Sequence, residues 1–292
     1  MKVMVIDTVG GNRFSDSYKS YFPNVKLRGI EMRDDGECHP HGYQCGYYAG
    51  VLLNAVEGEH ELVFVRIFDE YAQPIVGSNE WILDVIASEK PNIVTRSWGQ
   101  HDQDNKWGQL YGEVAWSEWC KKFVELHHSV GFVDFGAAGN SDSNDADTDI
   151  DYPHRLIPYV CNIIGSHNRA GMPSVFSGDG VGVGCTMWGE NVYLNSNGVW
   201  ERGSGTSFAC PKAAGLCAAL NIKSADWGSY VMRNATRPEN WMGYLPNKKW
   251  GWGSLEYRYQ EHLSLLPDNL LPPRLAAMAS QVTYKDYQAH RE

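Results

Sequence analysis

One serine of the chain lies in a setting that suits a nucleophile. Ser207 follows the glycine-rich turn Gly203-Ser204-Gly205-Thr206 and precedes small apolar residues that predict a helix ending near Leu220. A serine hydroxyl becomes reactive when a base lies beside it and when fixed dipoles face the developing oxyanion. The unpaired N–H groups at a helix N-terminus are such dipoles. An ordinary Ser/Thr helix cap would have the same local pattern, so this segment alone does not establish catalysis.

An acid, a histidine and an amide elsewhere in the chain could complete a catalytic set. Asp7 ends the apolar run Val3–Ile6, which predicts a buried parallel strand with a carboxylate at its carboxyl end, where open α/β sheets build their sites. Asp7 would accept the Nδ1 proton of His41, whose Nε2 would take the proton of Ser207. The side-chain amide of Asn140 and the backbone N–H of Ser207 would bind the oxyanion. Plainer interpretations remain open, with Asp7 as a turn former, His41 on the surface and Asn140 as a cap.

Two histidines compete for the role of base, because both occur in the segment Cys38-His39-Pro40-His41-Gly42. His39 precedes a proline, which biases its backbone towards an extended conformation. A helix can begin at His41, which would place the ring at the start of that helix. We therefore favour His41 and keep His39 as the alternative.

Together these motifs resemble those of the subtilisin-like serine proteases (subtilases, peptidase family S8), whose triad runs in the order Asp, His, Ser. Gly205–Pro211 (GTSFACP) is similar to the family's GTSMAxP motif, and Val5–Thr8 and His41–Cys45 resemble its aspartate and histidine motifs. Gly136–Asn140 (GAAGN) resembles the segment whose asparagine completes the oxyanion hole. The similarity extends from about residue 3 to residue 260. It implies a serine endopeptidase that forms an acyl-enzyme intermediate and requires no cofactor.

The resemblance also implies where a polypeptide substrate binds. It predicts contacts with two segments, namely Ser97, Trp98 and Gly99 on one side and Ala137, Ala138 and Gly139 on the other. Asp151 stands immediately before Tyr152-Pro153, where the family's residue at the base of the primary specificity pocket falls. A carboxylate there would pair with arginine or lysine at P1. The alternative is that Asp151 lies in solvent.

Two positions depart from the family pattern close to the histidine. Gln44 stands where the family has a second histidine, and Tyr47 occupies a position that is usually small. A tyrosine on a closely packed helix needs room, so unusual packing is expected around it.

Strand-like and helix-like segments alternate along most of the chain, which predicts an α/β fold: a subtilisin-like three-layer sandwich with a mostly parallel central sheet and helices on both faces. Predicted strands cover residues 3–6, 61–68, 92–98, 131–135 and 159–164, and predicted helices cover residues 41–56, 79–90, 107–129 and 206–220. The glycine-rich residues 178–184 are interpreted as turns. Residues 1–265 are assigned to one catalytic domain. Residues 266–292, where three prolines interrupt a leucine-rich stretch, are assigned to a C-terminal extension.

Composition limits the partners and the compartment. The 292 residues contain 35 acidic and 25 basic side chains, and the formal charge of −10 makes nucleic acid an unfavourable partner. No apolar stretch is long enough to predict a membrane segment. The 7 cysteines form no CxxC pairs, which favours reduced thiols in the cytoplasm over disulfides or a zinc site. The oligomeric state is not indicated.

The acidic loop after Asn140 offers a weaker candidate site. Oxygen ligands from Asp142, Asp145, Asp147 and Asp149 could surround a calcium ion, although we favour a solvated acidic loop.

The start of the chain raises the question of control. Exported family members generally have a signal peptide and an inhibitory propeptide, whereas here the Asp7 strand begins at the second residue. We consider three alternatives. The protein folds unaided, a separate chain acts as its inhibitor or folding partner, or the C-terminal extension acts as inhibitor or folding aid. A viral or phage-encoded processing enzyme would suit such a compact chain.

Overall fold

The computed structural model describes residues 1–33, 36–100, 113–140, 150–237 and 244–272. Seven strands form one parallel sheet in the order β2-β3-β1-β4-β5-β6-β7. They are β1 (Lys2–Asp7), β2 (Val25–Glu31), β3 (His60–Arg66), β4 (Ile93–Arg96), β5 (Val133–Ala137), β6 (Cys161–His167) and β7 (Val183–Trp188). An antiparallel hairpin follows, made of β8 (Val192–Ser196) and β9 (Val199–Gly203).

Helices connect the strands and cover the sheet. They are α1 (Asp16–Lys19), α2 (His41–Gly50), α3 (Ser78–Glu89), α4 (Glu113–Val130), α5 (Thr206–Ala219), α6 (Ser224–Asn234) and α7 (Glu256–Leu263). Short 3₁₀ turns cover Val51–Ala55, His154–Leu156 and Asp268–Leu270. The side chains of α4 are described from Trp116 onward. In the described ranges, no helix has both the length and the apolar character needed to cross a membrane.

The sheet is covered on both sides because successive side chains of each strand point to opposite faces. In β1, Val3 and Val5 pack into the cluster that contains α2 and α5, whereas Met4 and Ile6 pack into the cluster that contains α3 and α4. This is why β1 is an uninterrupted apolar run rather than an alternating one. The predicted α/β class and three-layer arrangement are confirmed.

Several elements differ from the sequence-based expectation. The predicted helix over residues 41–56 is α-helical only to Gly50 and continues as the 3₁₀ turn Val51–Ala55. The glycine-rich segment 178–184 is not all turn, because β7 begins at Val183. β2 was not predicted: it lies at the edge of the sheet, and its mixture of Lys, Arg and Glu with apolar residues is typical of protected edge strands. Residues 107–112 of the predicted fourth helix lie outside the described residues.

The large side chain of Tyr47 is accommodated by packing against other aromatic rings. Its side chain is fully buried, with its ring 5.0 Å from that of Trp200 and 5.8 Å from that of Tyr21. Its hydroxyl donates a hydrogen bond of 2.7 Å to the carbonyl oxygen of Leu270. Leu270 and its neighbour Leu271 belong to the same hydrophobic cluster as α2. The described part of the proposed extension, residues 266–272, therefore packs against the helix that begins with His41.

Candidate active site

Asp7, His41 and Ser207 meet at the carboxyl-terminal edge of the sheet. Asp7 is the last residue of β1, while His41 and Ser207 lie in the first turns of α2 and α5. All three border one open cleft of about 310 Å³. Its other lining residues are Thr8, His39, Phe68, Ala72, Ser97, Trp98, Gly99, Ala137, Gly139, Asn140, Asp151 and Thr206.

A hydrogen bond joins the acid to the histidine. His41 Nδ1 lies 2.8 Å from Asp7 Oδ1, and the backbone N–H of Thr8 donates to the same oxygen at 2.8 Å. Burial alone would lower the pKa of His41, but the charge of Asp7 and the hydrogen bond to it outweigh this effect and hold this pKa well above its ordinary value. His39 does not contact Asp7 in this way: its Nδ1 accepts the backbone N–H of His41 at 3.3 Å.

Thr8 holds the start of α2 against the end of β1. Pro40, the residue before α2, makes no side-chain cap, and the Thr8 hydroxyl takes that place by accepting the N–H of Gly42 at 2.9 Å. The same hydroxyl donates to the carbonyl oxygen of His39 at 2.7 Å. A Cβ on Gly42 would lie only 2.8 Å from Val9 Cγ2, so the helix approaches closely because residue 42 is glycine. These contacts fix the position of His41 relative to Asp7.

Hydrogen bonds hold the backbone of Ser207, the candidate nucleophile. The carbonyl oxygen of Ser207 accepts hydrogen bonds from the Ser97 hydroxyl at 2.9 Å and from the Cys45 thiol at 3.3 Å. The Ser207 hydroxyl donates to the carbonyl oxygen of Ser97 at 3.0 Å. No hydrogen bond within the described ranges joins Ser207 to His41.

Asn140 is oriented by the residue before Ser207. Its Oδ1 accepts from the Thr206 N–H at 2.8 Å and from the Thr206 hydroxyl at 3.0 Å. This arrangement leaves the amide nitrogen as the group that can donate into the cleft, and among the described residues no hydrogen bond uses it. The N–H of Ser207, in the first turn of α5, likewise has no acceptor in the described part of the chain. The two donors are of the kind that stabilise an oxyanion.

Cys45, which lies close to the candidate base in the sequence, follows His41 at the i+4 spacing that brings two side chains together on a helix. Its Sγ lies 3.8 Å from Nδ1 and 4.0 Å from Nε2 of His41. Burial raises the pKa of this thiol, which makes it less nucleophilic. With Asp7, the pair forms a group whose ligand atoms lie within 4.8 Å of one another. The sulfur is nearly equidistant from the two ring nitrogens.

The predicted substrate-binding residues fall on two sides of the cleft, with one exception. Ala138 belongs to the hydrophobic cluster of α3 and α4, and only its backbone faces Asp151, whose N–H it accepts at 3.0 Å. Asp151 lies between the two sides: a Cβ on Gly99 would be 3.0 Å from its Oδ2, and a Cβ on Gly139 would be 2.4 Å from its Cγ. The carboxyl group therefore borders the cleft instead of projecting into open solvent. The proposed calcium ligands Asp142, Asp145, Asp147 and Asp149 lie outside the described residues.

Comparison with known proteins agrees with this architecture. The model of the subtilase family (peptidase S8) matches residues 22–253, so the chain belongs to the subtilase family. This match confirms the resemblance inferred from the motifs. Asp7 lies before the matched range. Its proposed role as the acid that orients His41 is therefore supported by its hydrogen bond to His41 and not by the family match.

Individual relatives are distant. Subtilisin amylosacchariticus from Bacillus subtilis subsp. amylosacchariticus is 24% identical over 259 residues, which are 85% of this chain and 61% of that protein. The chain thus spans less than two thirds of that relative's length. The prenylagaramide maturation protease PagA is similar in structure, with a TM-score of 0.63 at 20% identity over 90% of this chain and 93% of PagA. A lanthipeptide protease gives a TM-score of 0.65 at 14% identity over 91% of this chain and 88% of its own.

The role of Thr8 can be tested by removing its hydroxyl. Thr8→Val keeps the shape of the side chain but leaves the buried N–H of Gly42 without its acceptor. We expect the free energy of unfolding in urea to fall by about 1–2 kcal/mol. Thr8→Ser retains the hydroxyl and is the matched control; it loses one buried methyl group, so a smaller loss of about 0.8 kcal/mol is expected. Equal stability of the valine and serine variants would contradict this role.

Proposed function

We propose that this chain is a serine endopeptidase in which Ser207 is the nucleophile, His41 the general base and Asp7 the residue that orients His41. The observation that carries the proposal is the 2.8 Å bond between His41 Nδ1 and Asp7 Oδ1 in a cleft that also contains Ser207. A carboxylate bonded to Nδ1 leaves Nε2 as the basic nitrogen and stabilises the imidazolium that forms during the reaction. Membership of the subtilase family supports the same reading.

In the proposed reaction, Ser207 Oγ turns from the Ser97 carbonyl oxygen towards His41 Nε2 when substrate binds; catalytic hydrogen bonds often form only in that complex. Oγ then attacks the peptide carbonyl carbon while its proton passes to Nε2. Asn140 Nδ2 and the Ser207 N–H bind the oxyanion. His41 returns the proton to the leaving amine as the C–N bond breaks, which leaves an acyl-enzyme. Water, deprotonated by His41, releases the acid and restores the Ser207 hydroxyl.

We further propose that the enzyme prefers a basic residue at P1 and acts on a defined precursor protein. The carboxyl group of Asp151, between Gly99 and Gly139 beside the cleft, is the feature that would pair with arginine or lysine. The name of PagA describes a maturation protease, which supports processing as the kind of task to test. The substrate itself is proposed only as a polypeptide.

Fluorophosphonate labelling tests the proposed nucleophile. Intact-mass spectrometry of the wild type should show a single adduct, which Ser207→Ala abolishes and His41→Ala slows strongly, because an unassisted serine hydroxyl is a weak nucleophile. Ser204→Ala is the matched control: this exposed serine lies three residues earlier and should leave labelling unchanged. A folded wild-type protein without an adduct would favour a peptide-binding module over an enzyme.

The P1 preference is tested by removing the charge of Asp151. Asp151→Asn should lower the ratio of kcat/KM for arginyl over phenylalanyl peptides by about 10- to 100-fold, as the loss of a charged hydrogen bond implies. Glu125→Gln removes one exposed carboxylate of α4, outside the cleft, and should not change this ratio. A wild-type preference for the phenylalanyl peptide would rule out the proposed pairing.

A further inference from the structure

The turn that contains Asp151 is bound to both sides of the cleft. On one side, the N–H of Asp151 donates to the carbonyl oxygen of Ala138 at 3.0 Å. On the other side, Tyr152 and Gln100 exchange two backbone hydrogen bonds of 2.8 and 3.0 Å. The position of the Asp151 carboxyl group therefore depends on how this turn is held between the end of β5 and the segment after β4.

His154 makes an additional side-chain contact from the same turn. Its side chain is fully buried, and its Nδ1 donates to the carbonyl oxygen of Ala137 at 2.8 Å. The ring occupies space that exists because residue 136 is glycine, since a Cβ there would lie 2.7 Å from the ring's Cγ and Cδ2. The ring of Trp98, on the opposite side of the cleft, is 6.1 Å from the His154 ring.

The surroundings keep His154 neutral. Burial, together with the positive charge of Arg96, holds the pKa of His154 well below its ordinary value. Arg96 is itself fully buried and bonded to Asp134 of β5, with Nε 3.0 Å from Oδ1. Because the carbonyl oxygen of Ala137 can only accept, the Nδ1-protonated tautomer is the form that makes the bond.

We propose that His154 is a positioning residue for P1 selectivity: its hydrogen bond to Ala137 fixes the Asp151 turn so that the carboxyl group lies between Gly99 and Gly139. This inference rests on the proposed peptidase function and its basic P1 preference. His154 does not touch the substrate. It acts by tying the turn to the same strand end that leads into Gly139 and Asn140.

The test compares two amides at position 154. An asparagine places its amide nitrogen near the position of histidine Nδ1 and can donate to Ala137, whereas a glutamine places it near Nε2 and cannot. His154→Asn should keep the arginyl-to-phenylalanyl ratio of kcat/KM within about 3-fold of the wild type, and His154→Gln should lower it by about 10-fold, in line with the loss of one buried hydrogen bond. His154→Leu, which has no donor, should resemble the glutamine variant.

Fluorophosphonate labelling of Ser207 in each variant serves as the control, since a positioning role in selectivity leaves the nucleophile reactive. Equal selectivity in the asparagine and glutamine variants would overturn the inference, even if the leucine variant fails to fold. If Asp151→Asn lowers the ratio but neither amide at 154 does, only the role of His154 is refuted. A wild-type enzyme that does not discriminate between the two peptides would refute both the role of His154 and the P1 proposal.

Discussion

The bond between Asp7 and His41 joins two elements that lie 34 residues apart in the chain, and the proposed chemistry depends on keeping them together. The apolar run of β1 makes it an interior strand of a sheet that is covered on both faces, and Asp7 is buried at the carboxyl end of this strand, so its carboxylate has little freedom to move. The Thr8 hydroxyl and the close approach at Gly42 hold α2 in register with the strand end. Further along α2, the Tyr47 hydroxyl donates a hydrogen bond to the carbonyl oxygen of Leu270. The described residues after α7 therefore also hold α2 in place.

Two strands that lead into the cleft contain buried charges that a plain hydrophobic core would lack. Arg96 and Asp134 form an ion pair that is fully excluded from water, and the Arg96 guanidinium lies 4.5 Å from the centroid of the Phe123 ring. Removing one partner of such a pair leaves an uncompensated buried charge, which costs about 3–5 kcal/mol. Because Arg96 directly precedes Ser97 and Asp134 lies three residues before Ala137, the pair connects the strands that lead into both sides of the cleft.

The sequence predicted the sheet and the candidate triad because both have local signatures. Buried parallel strands are continuous apolar runs, and Asp7, His41 and Ser207 each lie in a short motif. Both edge strands were missed: charged residues break that pattern in β2, and the glycine-rich segment 178–184 at the start of β7 indicated turns. Thr8 and His154 could not be assigned for another reason. Their partners, Gly42 and Ala137, are 34 and 17 residues away, and only the folded chain brings them into contact.

The central claim is that Asp7 makes His41 the base for Ser207, and the pH dependence of fluorophosphonate labelling tests it most directly. In the wild type, the labelling rate should rise with pH as His41 loses its proton, with a midpoint above about 6.5 because Asp7 raises the pKa of His41. In Asp7→Asn, the midpoint should move to lower pH and the rate at neutral pH should fall by about 10⁴-fold, the order found for the same change in a Ser-His-Asp triad. An Asp7→Asn variant with the wild-type midpoint and rate would contradict the account.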